Sequence, residues 1–383
     1  MSFFRTALLF SRQRPFNGYS KRFASYFSHQ KSSRLQFLLR SEVMPNSKPQ
    51  FTTSPYNEAT KTIKDQAKLV GKITVYTTVS VTAAVALIWQ LSHWYIEYVV
   101  EPTPPELGYQ ARNLLHGAYV REHIAPDYGV AAFYVREALR IALEEKNLEE
   151  SSEAVIQLRL RLAYNEARAG NLLDSITEYT RSWKLLLDKD DKRVVLAETA
   201  KHIGELYMRI QDYEHAEEFL VWAFYRLKEN QHDDFLKTKV ALSLASLYAI
   251  QRNFDLALPL LSQALKAVPE SEICLKAIIQ NQLSEIMYGT GKVEEAMGWA
   301  QAALESSNQE PKNQDCLECG GVASNNLGRM LELKGQFEQA LEHYQQAVTY
   351  SSSIHDSSSH DRYTLNLERI QNILRNQANG NKA

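Results

Sequence analysis

Apolar and polar positions recur along most of this chain with the period of an α-helix, and short polar breaks cut the pattern into pairs. The clearest pair is Asn325 to Tyr350, NNLGRMLELKGQFEQALEHYQQAVTY. Gly328 is small, Ala340 follows twelve residues on, Ala347 lies seven beyond that, and Gly335 interrupts the apolar run. The spacing predicts helix, turn, helix. The small residues fall where two antiparallel helices would cross most closely, with Leu331, Phe337 and Tyr344 filling the space beside them. One such pair cannot bury its apolar face alone, so it needs neighbours.

Four further segments keep the twelve-and-seven spacing. They are Ala163, Ser175 and Ser182; Gly204, Ala216 and Ala223; Ala245, Ala257 and Ala264; and Ser284, Ala296 and Ala303. Successive copies start 41, 41, 39 and 44 residues apart (163 to 204, 245, 284 and 328). A sixth, degenerate copy is predicted over Ala111 to Leu139, where Tyr128, Ala131 and Ala138 suit a second helix and the first helix carries about three residues too many. Past a serine-rich break at Ser351 to His360, the apolar positions of Arg362 to Arg375 predict a last helix covering the end of the array. The expected class is all-α, with five to six long-period repeats over 109–350 and a loop and capping helix over 351–383.

Ahead of the array the pattern changes. Ile73 to Leu91, ITVYTTVSVTAAVALIWQL, carries no charge, and the uncharged run extends to Ile96. A hydrocarbon core of about 30 Å needs roughly 20 helical residues, so 73–96 is predicted to span a membrane once. Trp89, Trp94 and Tyr95 gather at one end, where aromatic belts form. A buried soluble helix is the alternative. Pro102, Pro104 and Pro105 then predict a short stiff stem over 97–108.

Charge sharpens this picture. The net charge of −2 hides 13 Lys/Arg against 3 Asp/Glu in residues 1–72, and 30 against 42 in residues 97–383. An acidic body argues against nucleic acid as a partner. Residues 1–40 are basic, rich in serine and free of acids, the composition of a mitochondrial transit peptide. Arg22-Phe23-Ala24-Ser25 resembles a processing site, and a basic linker over 41–72 follows. Lysines before the span and Glu97, Glu101 and Glu106 after it predict an N-terminus retained in the matrix and a body in the intermembrane space.

Candidate chemistry is sparse. Gly289-Thr290-Gly291-Lys292 superficially resembles a phosphate loop, but Ile286 replaces its first glycine and Val293 its metal-binding hydroxyl, so a repeat turn is expected. Cys316 and Cys319 stand at metal-ligand spacing without a second pair, and Cys274 is the third cysteine. No catalytic group, metal or cofactor is expected, and neither is a disulfide staple.

The repeat pattern resembles the tetratricopeptide repeat (TPR) family, whose helical pairs stack into a right-handed solenoid. On the first helix of each copy, the positions one after and three before the small residue are expected to line a protein-binding groove. These are Leu160 and Tyr164, Lys201 and Glu205, Leu242 and Ser246, Asn281 and Glu285, and Asn325 and Arg329, with Met208 and Tyr288 one turn on. The plan of leader, span, stem and long-period repeats, with ELGYQARNLLHGAYV and AFYVREALRIALEE, resembles the fungal TPR adaptor of the mitochondrial i-AAA protease complex. That resemblance implies a non-catalytic adaptor that delivers unfolded membrane or intermembrane-space proteins to the protease alongside a second membrane adaptor. A TPR factor for assembly or maintenance of respiratory complex III is the alternative.

Overall fold

The computed structural model describes residues 54–228, 234–354 and 357–380. The expected leader, 1–40, and the first part of the 41–72 linker lie outside these residues. Among the described residues there are fourteen α-helices and no strand. They divide between Ile141 and Ala142 into two compact units.

The first unit opens with α1, Pro55–Tyr95, a continuous helix of 41 residues. Proline at the first helical position starts it, since that N–H needs no partner. The lysine-bearing segment and the apolar segment are therefore one rod. Its apolar side chains point outward, with Ile88 68% and Trp89 65% exposed, and by length and composition it is long enough to cross a membrane. A π-helical turn, Ile96–Val100, closes it when the Glu101 N–H bonds the Ile96 carbonyl, and the prolines stop further winding. Two helices follow, α2 (Gly108–Tyr119) and α3 (Tyr128–Arg140). The surplus residues expected in this hairpin form a second π-helical turn, Val120–Ile124. Asp127 caps α3 by accepting from the Val130 N–H at 3.1 Å.

The second unit is a stack of five helical hairpins. They are α4 (Glu153–Ala169) with α5 (Leu172–Leu186), α6 (Arg193–Arg209) with α7 (Tyr213–Lys228), α8 (Asp234–Ile250) with α9 (Phe254–Ala267), α10 (Ile273–Gly289) with α11 (Val293–Ser307), and α12 (Gln314–Leu333) with α13 (Phe337–Ser353). Each hairpin turns through one residue in the left-handed region: Gly170, Gln211, Arg252, Gly291 and Gly335. Those positions are again separated by 41, 41, 39 and 44 residues, the intervals of the small residues. The long period resides in helices of 14 to 20 residues and in the connections between hairpins, such as 268–272 and 308–313.

The small positions are all buried. A Cβ on Gly204 would lie 2.6 Å from Leu220 Cγ, and one on Gly328 2.9 Å from Tyr344 Cδ1, so the partner side chain occupies the missing methyl's place. Ala163, Ala216, Ala245, Ala257, Ala296 and Ala340 have no exposed surface. Two of the three small-position serines bond across the hairpin: Ser175 donates to the Ala163 carbonyl at 2.6 Å and Ser284 to the Ala296 carbonyl at 2.7 Å, while Ser182 donates to the Glu178 carbonyl of its own helix at 2.9 Å. Between crossings Leu220, Leu247, Leu261, Ile279, Ile286 and Met330 fill the interior. Burying each such side chain contributes about 1.5–3 kcal/mol. The last helix, α14 (Ser357–Gly380), is longer than the predicted Arg362 to Arg375 and packs Ile370 against Leu331, Ala340 and Tyr344.

Candidate protein-binding face

The first helices α6, α8, α10 and α12 are joined by a ladder of side-chain hydrogen bonds, and α14 takes the next place in the row. Ser243 donates to Glu205 Oε1 at 2.6 Å, and Gln282 to Ser246 Oγ at 2.7 Å. Asn326 Nδ2 reaches Asn281 Oδ1 and Glu285 Oε1, each at 3.3 Å, and Asn366 Nδ2 reaches Asn325 Oδ1 at 2.8 Å. The first three rungs share one register: the residue after the small position on one helix meets the residue two before it on the next. This satisfies buried polar groups that would otherwise be costly, and it fixes how neighbouring repeats sit.

The structure treats the predicted groove residues unequally. Tyr164 is 39% exposed, with the Arg168 guanidinium 5.8 Å from its ring centroid. Tyr288, Asn325 and Arg329 are half-buried. Lys201, Met208 and Asn281 are turned inward: Met208 belongs to the core, Lys201 pairs with Glu205 at 2.7 Å, and Asn281 donates to Glu285 at 3.1 Å. Arg329 pairs with Glu332 at 3.3 Å, and the capping helix supplies Arg369, which grips the same carboxylate at 2.7 and 3.0 Å. Tyr344 donates its hydroxyl to Glu332 as well, at 2.7 Å.

These contacts set the ionisation of the two acids. At Glu332 burial favours the neutral acid, but Arg369 and Tyr344 outweigh it and hold the carboxyl below its usual range. Burial acts the same way on Glu205, where Lys201 and His202 outweigh it and keep the group ionised. The partners that sequence reasoning missed, Ser243, Gln282 and Asn326, all stand two residues before a small position. That recurrence is visible in the sequence once the first helices are known to lie side by side.

Gly289 to Lys292 is the turn between α10 and α11, with Gly291 at φ 83°. The cysteines correct the expectation that no staple exists: Cys274 is bonded to Cys316, with 4.8 Å between their Cα atoms, and Cys319 is buried and unbonded. Cys274, Glu310 and Cys316 bring three potential metal-ligand atoms within 4.8 Å of one another, but both sulfurs are spent in the disulfide. The sequence concealed this pair because its members stand 42 residues apart.

A row of first helices stacked hairpin on hairpin defines a repeat solenoid that presents an extended surface to other polypeptides. Models of the tetratricopeptide repeat family match residues 242–311 and 323–353, within the last three hairpins. A TPR repeat-containing protein of Schizosaccharomyces pombe is 25% identical over 270 residues, covering 64% of this chain and 74% of the relative. Among solved structures, Rap protein complexed with Competence and Sporulation Factor has a TM-score of 0.53 at 16% identity, covering 75% of this chain and 80% of that one. BtubC from P. vanneervenii has a TM-score of 0.50 at 18% identity, covering 59% and 90%. The APC/C hetero-tetramer Cut9–Hcn1 has a TM-score of 0.50 at 14% identity, covering 74% and 45%. At such identities the likeness is one of fold.

Proposed function

We propose that this chain is a membrane-anchored, non-catalytic adaptor of the mitochondrial i-AAA protease complex, which holds unfolded substrate proteins on its TPR face and promotes their degradation. The observation that carries the reading is α1. Its second half is apolar and of membrane-spanning length, its first half carries Lys61, Lys64, Lys68 and Lys72, and a proline stem, acidic residues and the repeats follow it. On this reading the N-terminus stays in the matrix, the TPR body stands in the intermembrane space, and a second small membrane adaptor shares the complex. The bilayer supplies affinity indirectly. A face that binds an unfolded segment weakly, tethered near the protease, keeps that segment at high effective concentration.

Affinity purification of the tagged full chain from detergent-solubilised mitochondria, read by mass spectrometry, tests this. Recovery of the hexameric AAA protease with its membrane adaptor is the expected result. Recovery of cytochrome bc1 subunits in its place would instead assign the chain to respiratory complex III.

A further inference from the structure

The Cys274–Cys316 disulfide sits at one junction of the stack and at no other. Cys274 is in the first turn of α10 and Cys316 in the first turn of α12, so the bond joins the first helices of the fourth and fifth hairpins. Only three cysteines occur in the chain, so no second junction has an equivalent link. The rung on the same pair of helices is the one built from two amides and a carboxylate, Asn281, Asn326 and Glu285, all 9% exposed or less. Gln280 beside it accepts from Ser306 at 2.8 Å, also buried. A buried polar contact of this kind is worth having only if its partners stay in register, because a separated rung leaves polar atoms unpaired. The α6–α8 and α8–α10 junctions have a single hydroxyl in each rung and no covalent link.

We propose that this disulfide is a redox-controlled clasp that holds α10 against α12 and thereby keeps the polypeptide-binding face in its working shape. The proposal rests on the reading of the first-helix face as that surface. The clasp closes by thiol–disulfide exchange. The two thiols lose two protons and two electrons to an incoming disulfide such as oxidised glutathione, which leaves as two thiols. Cys274 is the more accessible residue, 8% exposed against 0% for Cys316, so the mixed disulfide forms there and Cys316 displaces the leaving thiol. Cys319 does not compete: burial pushes its thiol up to about 12, so it keeps its proton and is a poor nucleophile. An oxidising compartment is required to keep the clasp closed, as the intermembrane-space placement provides.

The test uses the full chain in detergent, with reduced, carboxymethylated α-lactalbumin as the unfolded probe. Denatured without reductant, the chain should take up one alkyl group per molecule, at Cys319, and three after reduction with a phosphine. Reduction, or Cys274→Ser, should speed amide exchange at least tenfold in 273–289 and 314–333 while leaving α4 to α7 unchanged. It should also weaken probe binding at least fivefold. Cys319→Ser should change neither quantity. Three alkyl groups without reductant, or exchange indifferent to reduction, overturns the clasp. Equal probe binding in both redox states overturns its control of the face. Exchange that responds to reduction, with no probe binding in either state, supports the clasp and strikes the proposed function instead.

Discussion

At the crossing points the fate of single side chains is decided by a few tenths of an ångström. Gly204 faces Leu220 so closely that Gly204→Ala forces the leucine or the helix to move, and such overpacking costs about 1–3 kcal/mol. Chemical denaturation of the full chain in detergent should show that loss. The turns give the opposite sign. Gln211 and Arg252 hold φ of 67° and 63° with side chains attached, in a region where non-glycine residues pay about 1–2 kcal/mol. Gln211→Gly relieves that strain at the expense of a more flexible unfolded chain, so a net gain of about 0.5–1 kcal/mol is expected in the same measurement. On the face itself Tyr164→Ala should weaken capture of an unfolded protein about five- to tenfold, the effect of losing an exposed aromatic anchor, with stability changed by less than about 0.5 kcal/mol. A pull-down with a labelled unfolded chain reads this directly.

At the level of elements, the hairpins were legible because each rests on local rules. Small residues spaced twelve and seven apart require a close crossing, and the apolar period requires helices. Two turns were harder to read because Gln211 and Arg252 stand where Gly170, Gly291 and Gly335 announce the left-handed residue. The first-helix face was legible in outline only. Sequence positions name the face of a helix, but burial of Lys201, Met208 and Asn281 depends on how far the adjacent first helix leans over them, which no local pattern encodes. The disulfide likewise depends on two helix starts meeting across a hairpin. The cap makes its own prediction. Because the Glu332 carboxyl is held below the ordinary value of 4.5, its contribution is complete above that pH and is lost as pH falls through the depressed value. Protection of the α14 amides, taken relative to their intrinsic exchange rates, should therefore fall as acid titrates Glu332 below the ordinary carboxylate range. Arg369→Gln should release α14 already at neutral pH and flatten the dependence.

For the whole molecule, the proposed orientation rests on the division of charge. Residues 1–72 carry 13 basic and 3 acidic groups, and 97–383 carry 30 and 42, so on that proposal opposite ends would meet opposite fields at an energised membrane. The corresponding prediction is topological: protease added to intact mitochondria should spare a C-terminal tag, while rupture of the outer membrane should expose it and leave the matrix segment protected. A tag digested in intact mitochondria would place the body on the cytosolic side. One dimension of α1 extends this picture. At 1.5 Å per residue its 41 residues reach about 62 Å, roughly twice the hydrocarbon thickness. On the proposed reading the uncharged half is immersed, and Pro55 to Lys72 would project as a mast whose Lys61, Lys64, Lys68 and Lys72 follow one another along a single side. The anchor thus has a compass bearing as well as a depth: anything acidic that docks on that stripe also sets the rotation of the rod about its own axis.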